Sequence, residues 1–264
     1  MNGAAAPGLL DLAIAAGLLV AEAAASLLLG LGLARAALVS AARMAVQLLL
    51  VGLVLRWVFG AGSAPLTLGL VLLMLLVAAR EIAARPAQRL RAGGNYLVAA
   101  TAAAAGTGAA ALALAFTSLR PIPAWDPRTA IPLAGILLGA ALNAGSLALD
   151  SALGGAVARR AAIEAQLALG ATWREATRDL LREATRRGIV PALNQMAAAG
   201  IITLPGVMTG QILAGADPEA AVRWQVALLL LLAGTSGLTS YTAAALALRR
   251  VTDGRERLRL DRLA

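Results

Sequence analysis

The chain alternates long apolar runs with short segments that carry arginine. About 20 consecutive apolar residues in a helix cross the hydrocarbon core of a bilayer, and a run of that length is too long for a strand or for the apolar face of a surface helix. The pattern predicts an all-α, polytopic membrane helix bundle in which residues 1–264 form a single domain. Seven spans are predicted, at about 9–33, 44–60, 65–79, 96–118, 130–153, 189–214 and 220–248.

The longest polar segment, 156–187, predicts a hairpin of two amphipathic helices. Its apolar residues recur at helical spacing and form one stripe, namely Leu169, Trp173, Ala176, Leu180 and Ala184. Gly170 is unfavourable inside a helix by about 1 kcal/mol, so it predicts the corner between the two helices. Ion pairs three residues apart are expected on the other side, joining Glu175 to Arg178, Asp179 to Arg182 and Glu183 to Arg186.

Composition places this chain in the membrane and excludes several kinds of chemistry. Hydrophobic residues make up 60% of it and charged residues 14%, whereas soluble domains are near half apolar and a quarter charged. It has no lysine, so it cannot form an ordinary phosphate-binding P-loop. Histidine and cysteine are also absent, which excludes disulfides, the usual zinc sites and Ser-His or Cys-His catalysis. An intramembrane enzyme is therefore disfavoured.

Arginine is distributed unevenly between alternate loops. Segments 35–43, 80–91, 156–187 and 249–264 hold two, four, seven and six of the 23 arginines. Positive residues are enriched in cytoplasmic loops, so the N-terminus is predicted outside, the C-terminus in the cytoplasm and loop 119–128 outside. The net charge of +9 then reflects membrane topology, and no nucleic acid partner is expected. The first run is too long for a signal-peptide core and is predicted to be a span.

Polar residues at membrane depth are the candidates for a transport pathway, because ionisable groups are unfavourable there. Glu22 lies near the middle of the first span, and the alternative is a structural ion pair with Arg43 or Arg56. Asn143, Ser146 and Asp150 share one helical face, which is also consistent with a hydrogen-bonded seam. The full set of pathway candidates comprises Glu22, Asn143, Asp150, Asn194, Gln195, Met196, Met208, Thr209 and Gln211.

The sixth run is interrupted at Pro191 and at Leu204-Pro205-Gly206. Proline removes a backbone donor and glycine widens the accessible backbone angles, so free carbonyls are expected there. Interrupted membrane helices often line substrate paths. A simple kink is the alternative.

Glu164-Ala165 with Gly170 resembles the EAA…G coupling motif of ABC-transporter permeases, in which a short helix seats in a groove of the ATPase. The flanking sequences add to this likeness: Ile131-Pro132-Leu133-Ala134-Gly135, Leu142-Asn143-Ala144-Gly145, Pro191-Ala192-Leu193-Asn194-Gln195-Met196 and Leu204-Pro205-Gly206-Val207-Met208-Thr209-Gly210-Gln211. Together they resemble the iron-export permease family of ABC transporters, which includes plant aluminium-sensitivity proteins.

The resemblance implies a bacterial inner-membrane permease that forms a homodimer and binds two copies of a separate cytoplasmic ATPase. ATP and magnesium would then be bound by that partner, with no cofactor in this chain. The implied coupling residues are Glu164, Ala165, Gly170 and Trp173. Metal ligands stay unassigned. The alternatives are an importer, a non-metal substrate, a solvated loop at the hairpin, and a proton-coupled exporter that uses Glu22.

Overall fold

A computed structural model describes residues 8–117, 123 and 125–264, and these residues form helices and no strand. The predicted end of the fourth span at residue 118, and half of the predicted outer loop 119–128, lie outside the described residues. The helices are α1 (Leu9–Leu28), α2 (Ala34–Ala61), α3 (Ala64–Ala84), α4 (Gly94–Ala115), α5 (Pro127–Ala158), α6 (Arg160–Ala168), α7 (Trp173–Ala176), α8 (Arg178–Ala198), α9 (Gly206–Leu213) and α10 (Pro218–Arg250), followed by a 3₁₀ turn, Leu260–Arg262.

Helices α1 and α2 form a unit of their own, residues 1–61. Gly30 and Gly32 have positive φ in the turn between them, where glycine avoids a side-chain clash. The buried Ser26 accepts a hydrogen bond from the Leu33 N–H at 3.0 Å and holds this turn closed. The predicted loop 35–43 is wrong, because α2 already begins at Ala34. Arginine is a good helix former, and its long stem lets the charge reach water from inside a helix.

Residues 62–264 form the second unit, in which α10 packs against α4, α5 and α8. Small residues allow these helices to approach closely, as is common in membranes. A Cβ atom on Gly106 of α4 would lie 2.7 Å from the Thr235 carbonyl of α10, and one on Gly188 of α8 would lie 2.6 Å from the Ala144 carbonyl of α5. The bundle therefore has no room for side chains at these crossings.

Six of the described helices, α1 to α5 and α10, are long and apolar enough to span a membrane. The predicted sixth span, 189–214, is divided between α8 and α9. Helix α8 begins at Arg178, far earlier than predicted. Its Leu180 packs in the same cluster as Leu153 of α5, while Met196 packs against a cluster that contains Leu137. Sixteen helical residues rise about 24 Å, so α8 runs along most of the bundle although its first half is polar.

The prediction of a break at Pro191 is wrong, because α8 continues through it to Ala198. Proline removes one backbone N–H, and packing against α5 and α10 keeps the helix intact. The chain leaves the helix at Ala199 instead. Gly200 has positive φ and its N–H donates to the Thr203 carbonyl at 2.9 Å. Pro205 is the N-cap of α9, so the predicted second break is confirmed.

Three segments meet at one end of the bundle, which we call the arginine-rich end: 85–93, 159–177 and 251–264. The Arg91 N–H donates to the Arg262 carbonyl at 2.8 Å, and the Trp173 N–H donates to Glu256 Oε2 at 2.8 Å. At the opposite end, which we call the distal end, Thr117 and Asp217 line a common surface. Parts of three of the four segments that the arginine count assigned to one side of the membrane, 80–91, 156–187 and 249–264, thus lie together.

Candidate coupling site and transport pathway

The coupling hairpin consists of α6, a four-residue turn and α7. Helix α6 ends at Ala168, and Gly170 has a φ of +93° in the turn. Side chains other than glycine rarely adopt this angle, so the glycine fixes the corner at the predicted position. The Ala171 N–H donates to the Gln166 carbonyl at 3.0 Å and closes the end of α6.

Thr172 and Glu175 form a capping box at the start of α7. Glu175 Oε2 accepts hydrogen bonds from the Thr172 N–H at 2.8 Å and from Thr172 Oγ1 at 2.7 Å, and the Glu175 N–H donates back to Thr172 Oγ1 at 3.3 Å. Such reciprocal bonds satisfy donors that a helix start leaves unpaired. The bond from the Thr172 backbone is the main reason why the pKa of the Glu175 carboxyl is lowered.

The C-terminal segment 251–264 holds the hairpin from behind. Glu256 reaches Trp173 across 83 residues of sequence. Asp253 organises the turn that presents Glu256, accepting from the Arg255 N–H at 2.9 Å and from the Arg257 N–H at 3.0 Å. The Arg257 backbone bond, with smaller contributions from the Arg257 guanidinium and the Arg255 backbone, outweighs partial burial and places the pKa of Asp253 well below its usual range. The segment is therefore an ordered part of the coupling site.

Three of the four predicted coupling residues lie on the open surface. Glu164, Ala165 and Gly170 are exposed, and Glu164 forms an ion pair with Arg160 at 2.9 Å. Trp173 is only 6% exposed and packs in the same core cluster as Leu180. Its burial does not fit the prediction that it forms part of a docking surface. Its ring instead joins the hairpin to the bundle.

Leu169 was not singled out as a coupling residue, although it occupies the tip of the hairpin. It is 89% exposed, and a large apolar side chain in water at a loop tip is typical of a contact surface. The rest of the predicted apolar stripe turns inward: Leu180 and Ala184 are buried and Ala176 is half-buried. Sequence spacing could not separate Leu169 from these residues, because the turn at Gly170 rotates it away.

The predicted ion pairs form only in part. Asp179 pairs with Arg182 at 3.4 Å, as expected. The Glu175 carboxylate caps α7 and forms no ion pair with Arg178, so that prediction is wrong. Glu183 pairs with Arg187 at 2.6 Å and with Arg159, where Arg186 was expected. The pair with Arg159 links α8 to the end of α5.

Asp150 supports a loop at the arginine-rich end. Its Oδ1 accepts the Ala87 N–H at 3.0 Å, directly after Pro86. Asn95, which the sequence did not single out, accepts the Leu90 N–H at 3.0 Å and donates to the Ala83 carbonyl at 3.1 Å. These bonds close loop 85–93 over the end of the bundle. Asp150 is thus explained structurally, and its predicted place in a pathway receives no support from its contacts.

The remaining pathway candidates do not converge inside one copy of the chain. Asn143 on α5, and Asn194 and Gln195 on α8, are exposed. Met196 is half-buried and packs against the cluster formed by α4, α5 and α10. The half-buried residues Met208, Thr209 and Gln211 lie on α9, where the Thr209 hydroxyl donates to the Pro205 carbonyl at 3.2 Å. Amides at membrane depth thus point away from the bundle.

Glu22 lies in the middle of α1 with its side chain exposed, and it forms no ion pair with any described residue. The predicted structural pairs with Arg43 or Arg56 are therefore absent from this part of the chain. Within the described residues, no three acidic side chains come close enough to hold a metal ion together. The candidate pathway has no preformed metal centre in a single copy.

A cavity of about 570 Å³ lies between α3, α4 and α5. Its lining is apolar apart from the Thr67 and Thr107 side chains, and it contains none of the predicted pathway residues. Thr67 Oγ1 donates to the Ser63 carbonyl at 3.2 Å and Thr107 Oγ1 to the Ala103 carbonyl at 2.7 Å. Both hydroxyl protons are thus used within their own helices, and no carboxylate or amide side chain lines the cavity.

Sequence comparison places this bundle among known membrane proteins. Residues 9–252 match the model of the uncharacterised protein family UPF0014. The chain belongs to the UPF0014 family. Its relatives include a protein named probable iron export permease protein FetB from Escherichia coli, which is 30% identical over 85% of this chain and 84% of its own length.

Two further UPF0014 relatives come from distant organisms. The membrane protein YjkA of Bacillus subtilis is 33% identical over 79% of this chain and 81% of its own length. The membrane protein STAR2 of Oryza sativa is 32% identical over 80% of this chain and 72% of its own length. No solved structure matches the chain. The predicted recognition of an iron-export type of permease family, with plant aluminium-related members, is confirmed.

Proposed function

We propose that this chain is the membrane permease subunit of an ABC-type exporter of iron or another metal ion, driven by a separate ATPase. The observation that carries the proposal is the hairpin of α6 and α7 at the arginine-rich end. It exposes Glu164, Ala165 and Leu169 on the protein surface, and Trp173 fixes it to the bundle. A motor protein can act on a bundle only through an ordered element that is joined to its spans.

The hairpin is connected through the chain to two helices of the bundle. A single residue, Arg159, lies between α5 and α6, and a single residue, Thr177, lies between α7 and α8. A displacement of the hairpin therefore acts on two helices that pack against each other and against α10. Nucleotide and magnesium belong in this proposal to the partner, because this chain has no lysine for a phosphate loop.

A homodimer provides a place for the exposed amides. Asn143, Asn194 and Gln195 point away from the bundle, and polar groups that face lipid lack hydrogen-bond partners. Apposition of two copies along α5 and α8 would give these amides partners and a shared polar path. Glu22 would add a negative charge for a cation, although its side chain lies on the separate unit formed by α1 and α2.

The decisive experiment is purification of the tagged full chain from its native membrane, with its partner identified by mass. Recovery of an ATP-binding-cassette protein and ATP-dependent metal efflux in vesicles are expected. Glu164→Arg and Gly170→Leu should abolish stimulated ATP hydrolysis while the permease still inserts. Full coupling in both variants would contradict the assignment of the hairpin.

A proton-coupled exporter is the second candidate, supported by the unpaired Glu22 within an apolar helix. It predicts efflux that follows a pH gradient, needs no ATP and is lost in Glu22→Gln. The ABC proposal predicts efflux that survives collapse of the gradient. Vesicles loaded with iron and energised by either source separate the two.

The proposal places the chain in the bacterial inner membrane, with the N-terminus outside and the arginine-rich end in the cytoplasm. Single cysteines introduced at Gln88 and Pro123 test the sides. An impermeant reagent should label position 123 from outside and position 88 only after the membrane is opened. Labelling of both from outside would contradict this topology.

A further inference from the structure

A groove runs along the outside of the bundle between α8 and α10 at the arginine-rich end. Its upper part has a volume of about 500 Å³ and its lower part about 370 Å³, and the two parts share Leu181 and Tyr241 in their linings. Leu181, Thr185 and Ile189 follow each other at intervals of four along α8. Tyr241, Ala245 and Leu248 face them from α10. The floor is therefore mostly apolar along its whole length.

Five arginines surround this apolar floor: Arg174, Arg178, Arg182, Arg186 and Arg249. Four of them form no ion pair with any described residue, and the fifth, Arg182, is paired with the exposed Asp179. One carboxylate, that of Glu175, also lines the groove. It is occupied by the hydrogen bonds that cap α7. The rim is thus strongly positive, and its charge is largely uncompensated.

The groove extends from the arginine-rich end into the bundle. Arg249 lies at the end of α10, and Tyr241 lies eight residues further into the bundle, a distance of about 12 Å along a helix. Tyr241 is 54% exposed, so the groove is open at this depth. A basic pocket at the end of membrane helices with an apolar continuation below it is the arrangement that binds anionic lipid headgroups.

We propose that this groove binds one anionic phospholipid, with its phosphate between Arg178 and Arg249 and an acyl chain on the floor beside Tyr241. A soluble ATPase does not account for the floor, because the floor reaches Tyr241, which lies about two helical turns from Arg249 within the apolar helix α10. A symmetric contact with a second copy would place the same unpaired arginines opposite each other, which is unfavourable.

Native mass spectrometry of the full chain in detergent measures the binding. Phosphatidylglycerol is titrated against phosphatidylcholine, with glycerol phosphate as the soluble headgroup. The wild type should bind phosphatidylglycerol in preference to both. Loss of two arginines next to an anionic lipid weakens binding by about 30-fold, and this is expected for Arg178→Gln combined with Arg249→Gln.

The control is Arg85→Gln combined with Arg255→Gln, which removes the same charge from exposed positions at the same end but outside the groove. It should bind phosphatidylglycerol like the wild type. Equal losses in both double variants would indicate general attraction to positive charge and overturn the proposal. Binding of glycerol phosphate as tight as that of the lipid would overturn it as well.

Photo-cross-linking in native membranes identifies the occupant independently of the arginine variants. Benzoylphenylalanine replaces Tyr241, which is exposed and tolerates the change. An adduct with the mass of a phospholipid is expected, and it should disappear when Arg178→Gln and Arg249→Gln are added. An adduct with a second copy of the chain or with another protein, or the absence of a lipid adduct, would overturn the proposal. This measurement also decides the question if the arginine variants fail to fold.

Discussion

The two ends of the bundle α3 to α10 are held together in different ways. At the arginine-rich end, hydrogen bonds from Asp150, Asn95 and Glu256 join segments that are far apart in sequence or cap a loop over the helices. Among the described residues of the distal end, Asp126 and Asp217 each bond within the first turn of their own helix. One end is cross-linked by polar contacts between distant segments, whereas these two carboxylates at the other end bond locally.

Large apolar side chains are exposed at both ends. The distal turn between α8 and α9 exposes Ile201 by 90% and also leaves Ile202 and Leu204 exposed. The arginine-rich end exposes Leu169 at the tip of the hairpin, and it buries Trp173 and Leu263. Elements that move have few fixed contacts, so under the proposed function we expect the arginine-rich end to receive the force and the distal end to open.

Gly188→Ala should destabilise the bundle most. The new Cβ would lie 2.6 Å from the Ala144 carbonyl, so backbone must shift, and overpacking of this kind costs about 1–3 kcal/mol. The matched control is Gly210→Ala in α9, where nothing lies within 4 Å of the new atom. It should be neutral or stabilising by up to about 1 kcal/mol, through helix propensity. Thermal unfolding in detergent, followed by size-exclusion chromatography, measures both; equal stability of the two variants would contradict the packing described.

Glu256→Ala should weaken the arginine-rich end. It removes the acceptor for the Trp173 N–H, and a hydrogen bond to a charged group at a partly open site contributes about 1 kcal/mol. Stimulated ATP hydrolysis should fall with it, because the hairpin loses its rear support. Glu219→Ala serves as the control, since it breaks only an exposed pair with Arg223 at the distal end and exposed pairs contribute little. A larger effect of the control on hydrolysis would reverse the comparison.

Acid should loosen the arginine-rich end before the distal end. Hydrogen bonds lower the pKa of Glu175 and Asp253, and the bond from Arg259 lowers the pKa of Asp261 to about 2. A lowered pKa means that the stabilisation is fully present above the unfolded value, near pH 4, and is lost as the pH falls towards the folded value. Hydrogen exchange of residues 251–264 should rise between pH 5 and pH 2 after correction for intrinsic rates. In Asp253→Asn this segment should already exchange faster at neutral pH, and an unchanged profile would contradict the role of Asp253.

Leu169→Ala should have the smallest effect on stability, within about 0.5 kcal/mol, because surface changes rarely exceed this value. Its effect on the ATPase should be large. Burial of a leucine contributes about 1.5–3 kcal/mol, so affinity for the partner should fall by at least about tenfold. Ile201→Ala at the distal end has similar exposure and should leave that affinity unchanged. A pull-down titration with the purified ATPase compares the two.

The sequence predicted the helices of the membrane region but placed several of their ends wrongly. Apolar runs determine where a helix can lie in lipid. Helices α5 and α10 contain the predicted spans 130–153 and 220–248, and α4 covers the predicted span 96–118 as far as Ala115. The start of α2 was missed because Arg35 suggested a loop, although arginine is compatible with a helix near the membrane surface. Pro191 suggested a break because proline removes one backbone hydrogen bond. The packing against α5 and α10 that keeps α8 intact cannot be recognised in the sequence.

Only part of the candidate coupling site was predicted, because some of its features are local in sequence and others depend on distant residues. Gly170 was a correct predictor of the corner between α6 and α7, because its positive φ is a local property of glycine. The burial of Trp173 depends on Glu256, which lies 83 residues later, and no local pattern connects the two. Asp150 was read as a membrane-depth carboxylate, but its position is defined by the Ala87 N–H of another loop. Long-range polar contacts were therefore the part that the sequence could not reveal.

The hydrogen bond that Trp173 donates to Glu256 also implies an order of assembly. During synthesis the hairpin emerges first, and it lacks its rear support until α10 has been inserted and the segment behind it has left the ribosome. A permease whose last span is missing would therefore present a loose hairpin. Binding of the motor to a finished hairpin would in this way be restricted to chains that have completed insertion.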